Sequence, residues 1–315
     1  MPSCWKAFAA QAKSPTTCAI SAPVHLREPT LNLIRVFPRR TSLTPTDALA
    51  FIGNPPMEGM RPEGDEVHVS CAFTWDLAEA HRLQKEWGQF YPKVLIGGPA
   101  LETPLGPFIP GRYLKTGVTF TTRGCNKKCP WCLVPKREGR LSEVQDFPDG
   151  WIIQDNNLLQ AGRDHMEKVF AMLDRQKRAA MFSGGIDATL VDDWFADQIK
   201  RIRVESVFLA ADTEGALRPL EAAVNRLAFL GYKKIRSYTL IGFGNDTPAK
   251  AEQRLERVWN IGSMPFAQLY QPADRFITYN HEWKALAKKW SRPAAMVANH
   301  REPQPLTPGP QAWIA

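Results

Sequence analysis

Long apolar runs are missing from this chain. None of its 315 residues lies in a stretch near the roughly 20 apolar positions that a membrane-spanning helix needs. The opening segment, MPSCWKAFAAQAKSPTTCAISAPVHLREP, holds a short apolar patch but no sustained apolar core, so it does not read as a secretory signal. Cysteine is scarce: Cys4, Cys18, Cys71, Cys125, Cys129 and Cys132 are the whole set. Their spacing is not a disulfide framework, which in a chain this long points to a reducing compartment, the cytoplasm. A strong charge imbalance is absent too. The net charge of +8 is modest for this length and permits an anionic partner without demanding nucleic acid. With 44% hydrophobic and 23% charged residues, the chain is expected to fold as a globular protein with no membrane partner.

Half of the cysteines fall in one run, TTRGCNKKCPWCLVPKREG, as Cys125, Cys129 and Cys132. The spacing is C-x3-C-x2-C, with Trp131 directly before the last cysteine. Three thiolates on one tight loop can hold three corners of a [4Fe–4S] cluster. No fourth cysteine follows at ferredoxin spacing, so one iron is left open, and an open position marks a site for chemistry rather than structure. Zinc is the competing reading, with His165 or His281 as nominal fourth ligand, but the second cysteine pair usual for zinc is missing. Cys71 follows an apolar strand and reads as a small buried hydrophobe. Positive charge gathers around the loop in Arg123, Lys127, Lys128, Lys136, Arg137 and Arg140, against Glu138. That is either an electropositive mouth for an anionic substrate or acidic electron donor, or a solvated loop offsetting the charge of a cluster.

Periodicity organises the rest. Residues 1–30 lack it and read as a poorly ordered N-terminal segment. Residues 31–112 read as a small α/β unit and linker, with strands at 31–37, 65–73 and 93–98, a helix over 75–87 and Thr74 as its N-cap. From residue 113 to 275, strands are expected at 117–122, 151–155, 179–184, 205–211, 235–242 and 266–270, alternating with helices. One helix carries Met166, Val169, Phe170 and Leu173 at i, i+3, i+4, i+7 spacing, with Asp164 and Glu167 in a capping-box pattern. Another has Leu217, Leu220, Val224 and Leu227 on one face, with Gly231 as its stop. A third opens on Thr247 and Pro248, with Leu255, Val258 and Trp259 as its apolar face. Between Arg140 and Gly150 there is too little chain for a full crossover helix, so the first helix is expected to be short or missing, or the segment partly extended. The end of the chain, 276–315, reads as a helix, HEWKALAKKW, and a Pro-rich tail.

Alternating strands and helices predict a parallel sheet with right-handed crossovers. Ligands bind at the carboxyl ends of such strands. That rule selects Gln154 to Asn157, Ser183 to Asp187, Asp212 to Glu214, Gly242 to Asn245, and Tyr270 with Gln271. Carboxylates and amides there suit an ammonium group and ribose hydroxyls, and glycines admit close backbone approach.

The cysteine run resembles the signature of the radical S-adenosylmethionine enzymes. The resemblance implies a partial (β/α)6 TIM-like barrel preceded by a small Rossmann-like βαβ unit, with the cysteine loop after the first barrel strand. It implies Cys125, Cys129 and Cys132 as ligands of a [4Fe–4S] cluster whose open iron binds S-adenosylmethionine. Reductive cleavage of that cofactor gives a 5′-deoxyadenosyl radical, which modifies a substrate. Flavodoxin or ferredoxin is implied as reductant. Trp131 stands where the family has an aromatic near the adenine. Asp155, Asn156, Ser183, Gly184, Asp212, Ile241 and Gly242 stand at positions used for the rest of the cofactor. The segment DEVHVSCAFTWDLAEAHRLQKEW…KVLIGGPA resembles the second half of the cobalamin-binding domain found before the barrel in one branch of the family. The D-x-H-x-x-G ligand motif is missing, however, which argues against a working cobalamin site. Two other function classes stay open: an iron–sulfur electron carrier or scaffold that does not cleave S-adenosylmethionine, and a zinc-dependent nucleic-acid-binding module.

Overall fold

A computed structural model describes residues 32–101, 103–272 and 275–300. The expected N-terminal segment 1–30, with Cys4 and Cys18, and the Pro-rich tail beyond 300 lie outside the described residues. The elements in chain order are β1 (Leu33–Phe37), β2 (Ala50–Ile52), β3 (Glu66–Ser70), α1 (Leu77–Gly88), β4 (Val94–Gly97), β5 (Gly117–Thr119), β6 (Thr122–Arg123), α2 (Val134–Arg137), β7 (Ser142–Glu143), β8 (Gly150–Ile153), α3 (Arg163–Asp174), β9 (Ala180–Ile186), α4 (Asp193–Arg201), β10 (Val204–Ala210), α5 (Leu217–Arg226), β11 (Ile235–Ile241), α6 (Pro248–Asn260), β12 (Met264–Leu269), α7 (His281–Lys289) and α8 (Pro293–Asn299).

The first four strands form a parallel sheet in the order β2-β1-β3-β4. Its alternation is simple: Ile34, Val36, Val67 and Val69 point to one face and bury against Ala80, Leu83 and Trp87 of α1. Trp87 also satisfies its indole N–H on the carbonyl of Gly53, 3.0 Å away. Full burial of side chains this size is worth about 1.5–3 kcal/mol each, enough to hold one helix on one sheet. Thr74 does not cap α1. It starts a single 3-10 turn, Thr74–Asp76, whose side chains make no cap bond, and the α-helix begins only at Leu77.

The second sheet has six parallel strands in sequential order, β5-β8-β9-β10-β11-β12. Fold class is therefore α/β with parallel sheets, and neither sheet closes into a barrel. The helices α3 to α6 cover one face. The stripe of α3 buries as its spacing predicts, against Phe182 of β9 and Phe195 of α4. On α6, Thr247 accepts a hydrogen bond from the Lys250 amide, Pro248 takes the first helical position, and Leu255, Val258 and Trp259 are buried. The Asp164–Glu167 capping box does not form. The chain enters α3 through extended Gly162, which puts Asp164 inside the first turn, and the Gly162 amide donates to Glu143 Oε1 at 2.7 Å instead. At the far edge α7 packs on β12. Trp290 is fully buried there, and its carbonyl accepts from the Ala267 amide at 3.1 Å, so this helix covers the sheet as its sequence suggests.

The short connection after β5 has both features expected of it. The four-residue α2 is its only α-helix, and Ser142–Glu143 is extended, pairing antiparallel with Thr122–Arg123. The expected strand 117–122 thus divides: β5 stops at Thr119, and Thr122 already belongs to the hairpin that carries the cysteine loop.

Candidate functional site

Backbone geometry fixes the root of the cysteine loop. Gly124 has φ +75°, and a Cβ there would lie 2.2 Å from the Arg140 carbonyl oxygen, so only glycine lets the two ends of the loop close on each other. The Cys125 amide then donates to the Gly139 carbonyl at 3.2 Å, and the Cys132 amide to the Cys129 carbonyl at 3.0 Å. Glu138 ties the loop together. It accepts from the Gly124 amide at 2.9 Å and from Asn156 Nδ2 at 2.7 Å, and pairs with Arg123 at 2.7 Å.

The ends of β8 and β9 brace the loop from below. Asp155 is buried, and both carboxylate oxygens are occupied: Oδ1 accepts from the amides of Thr121 at 2.6 Å and Thr122 at 3.0 Å, and Oδ2 from the Thr121 hydroxyl. Burial pushes its pKa up and these donors oppose that. Asp155 therefore positions the chain entering the loop rather than offering oxygens to a ligand. Gly184 admits that brace, because a Cβ would lie 2.1 Å from the Asp155 carbonyl oxygen. Ser183 accepts from Gln154 Nε2 at 2.7 Å. Lys127, inside the loop, pairs with Asp187 at 2.7 Å and so anchors it to the end of β9.

Asp212, after β10, faces the loop itself. Its Oδ1 accepts from the Leu240 amide at 3.0 Å. Burial raises its pKa, while that amide, the Trp131 indole and the positive charge of Arg254 pull the other way. Trp131 meets Phe243 edge-on at 5.5 Å, and Phe243 meets Tyr270 at 4.8 Å, giving an aromatic row along the strand ends. Beside it lies a cavity of about 360 Å³ lined by Trp131, Asp212, Leu240, Phe243, Lys250 and Gln253 among others. Gly242, at φ +79°, sits under the Tyr279 hydroxyl, and its amide donates to Asp246 at 3.0 Å. Asp246 and Arg254 form a buried ion pair at 2.9 Å that holds this corner; removing one partner of such a pair costs about 3–5 kcal/mol.

Of the expected site residues, Cys129, Cys132, Trp131 and Asp212 come together. Asn156, Asp155, Ser183 and Gly184 support the loop or its neighbours through the bonds above. Ile241 does not join them. Its side chain is fully buried in the core shared with α6 and α7, and its carbonyl accepts from the Tyr270 amide at 3.0 Å. Sequence reasoning missed Asp246, Lys250, Gln253 and Arg254. Their one available signal is position, since Asp246 precedes the Thr247 cap and the other three lie on the first turns of the helix that follows.

The loop's donors are three free thiols, Cys125, Cys129 and Cys132. Burial pushes the thiols of Cys129 and Cys132 up; Cys132, Asp212 and Cys125 push Cys129 further against Lys127, and Cys125, Asp212 and Glu138 push Cys132 further against the Val134 amide. Backbone amides already point at two of the sulfurs, Lys127 N–H to Cys125 Sγ at 3.4 Å and Val134 N–H to Cys132. A metal group held there would have to displace the protons of Cys129 and Cys132, which would favour loading at higher pH. Among the described residues no three His, Cys, Asp or Glu side chains converge as ligands of a single metal ion. His165 instead packs against Phe147 at 5.7 Å, and His281 opens α7. No family model matches the chain and no curated protein matches it.

Proposed function

We propose that this protein is a radical S-adenosylmethionine enzyme built on a partial (β/α)6 barrel. The observation that carries the reading is the C-x3-C-x2-C loop, whose own Trp131 meets Asp212 and Phe243 at the carboxyl ends of sequential parallel strands. Cys125, Cys129 and Cys132 would hold a [4Fe–4S] cluster, which when bound supplies the electron that cleaves S-adenosylmethionine into methionine and a 5′-deoxyadenosyl radical. Three cysteines on one loop, without the second pair usual for a structural zinc, support three corners of a cubane over a tetrahedral zinc.

The chain's own residues do the rest. Gly124, Glu138 and Asp155 fix the loop. Trp131 and Phe243 offer flat apolar faces for an adenine, and Asp212 offers a carboxylate to hydroxyl or ammonium donors. The exposed Lys128, Lys136 and Arg140 suit docking of an acidic reductant such as flavodoxin or ferredoxin. The four-stranded unit is not proposed to hold cobalamin. No helix among the described residues is long and apolar enough to cross a membrane.

The test is anaerobic reconstitution with iron and sulfide, reduction with dithionite, addition of S-adenosylmethionine and assay of 5′-deoxyadenosine. The expected result is about four irons per chain and time-dependent product. A reduced cluster without product would leave an electron carrier or scaffold as the better reading, and bound zinc with no iron would reject both.

A further inference from the structure

The face of the six-stranded sheet turned away from α3 to α6 carries a cation without a counter-charge. Arg236, near the start of β11, is in register with Phe208 on β10 and Met264 on β12. Its guanidinium carbon lies 4.8 Å from the Phe208 ring centre and 5.5 Å from that of Phe266. Tyr238 stacks on Phe208 at 4.8 Å and meets Phe266 edge-on at 5.7 Å, so two rings flank the charge and a third backs them. Arg35, Arg123 and Arg254 each have a carboxylate partner. Among the described residues Arg236 has none, and its Nε is buried without a hydrogen-bond partner. Burial holds its pKa below the ordinary arginine value, yet a guanidinium stays charged in a protein. Ring faces attract the cation but accept none of its in-plane N–H groups strongly. An unpaired, partly buried charge costs stability, and an anion that pairs with it would offset that cost.

The geometry points to a small-anion site on this face: a carboxylate or phosphate paired with Arg236, on a molecule whose flat body lies along the half-buried Tyr238 and Phe266. The fork of N–H donors suits two-point pairing with either head group. From Arg236 to Leu240 the strand rises roughly 13 Å, and Leu240 already touches Asp212 at the cluster loop. If the proposed function holds, this anchors the substrate's charged end and sends its other end up to the radical; the anion site itself does not depend on that reading.

The full-length protein, without S-adenosylmethionine, is titrated calorimetrically with inorganic phosphate, benzoate and phenyl phosphate. One of the two aromatic anions should bind more tightly than inorganic phosphate, and which one does so identifies the head group. Arg236→Met should weaken that binding at least about tenfold, the loss expected for one charge-assisted pairing, while its unfolding midpoint stays at or above that of the wild type because an unpaired cation has been removed. Phe266→Leu, which keeps the cation, should erase the preference for the aromatic anions. Equal binding by wild type and Arg236→Met, or no binding of any of the three at millimolar concentration, would overturn the site. A failed 5′-deoxyadenosine assay alongside intact anion binding would reject the proposed function and leave the anion site standing.

Discussion

In the four-stranded sheet, β3 runs into Cys71 and the backbone closes over it at once. The Cys71 amide donates to the Gly97 carbonyl at 2.8 Å, and its carbonyl accepts from the Ala100 amide at 3.1 Å. Gly98, at φ +111°, lies so close that a Cβ would stand 2.6 Å from the Cys71 oxygen. In the six-stranded sheet the strands instead end on Asp155, Asp187 and Asp212, and the next segments diverge to leave the Trp131–Asp212 cavity. Both sheets are parallel, so topology alone predicts a ligand site at the carboxyl edge of each. The contrast shows what that rule needs in addition: open space beside the strand ends and, as at Asp212 alone of the three, a side chain facing that space. Cys71 meets neither condition. Its thiol donates to the Phe73 carbonyl at 3.3 Å, and burial pushes its pKa up.

The largest effect that tests this contrast comes from the cysteines. Cys125→Ala should abolish reconstituted iron and 5′-deoxyadenosine formation together, while Cys71→Ala should keep both and lose only about 1 kcal/mol of stability. Iron analysis and a denaturation curve for each variant decide it, and loss of iron from Cys71→Ala would break the comparison. Next in size is a matched pair of glycines. Gly184→Ala drives a methyl into the Asp155 carbonyl, so it should cost about 1–3 kcal/mol and also weaken S-adenosylmethionine binding, because the Asp155 brace under the cysteine loop must shift. Gly98→Ala should cost a similar amount and leave that binding unchanged. Equal effects of the two on binding would mean that the strand ends of the small sheet also serve the site.

Residues whose role follows from local pattern are the ones legible in the sequence. Met166, Val169, Phe170 and Leu173 declare a buried face, Thr247 with Pro248 declares a helix start, and the alternation in β3 declares a strand. The three cysteines stand out by spacing alone, and the proposed cluster rests on that spacing. Hidden features depend on partners far along the chain. β2 has three residues and no pattern of its own, and exists because β1 pairs with it. α8 hides in a Pro-rich stretch because Pro293 is tolerated in its first turn. Asp155 looks like a ligand by position, yet its oxygens are taken by Thr121 and Thr122, more than thirty residues earlier in the chain. Arg236 is unremarkable in the sequence, since only the register of three strands sets rings beside it.

The smallest effect separates the two sheets by pH. His68, buried in β3, lies 2.6 Å from the Tyr113 hydroxyl through Nδ1 and 3.0 Å from Glu66 through Nε2. The neutral tautomer with its proton on Nε2 satisfies both contacts, donating to Glu66 and accepting from Tyr113. Burial lowers the His68 pKa; Glu66 opposes this, and the charges of Arg112 and Lys93 reinforce it. A histidine depressed in the folded state takes up its proton more readily once unfolded. Its contribution is therefore complete above the unfolded value of about 6.5 and is lost as pH falls from there towards the lower folded value. Hydrogen exchange, corrected for intrinsic rate, should show protection of Leu33–Phe37 and Glu66–Ser70 declining below about pH 6.5 while Ile235–Ile241 holds. His68→Gln, which carries no titrating group, should flatten that decline. An unchanged slope in the variant would assign the acid sensitivity to Glu66 and its neighbours instead, and the two sheets would no longer differ by this histidine.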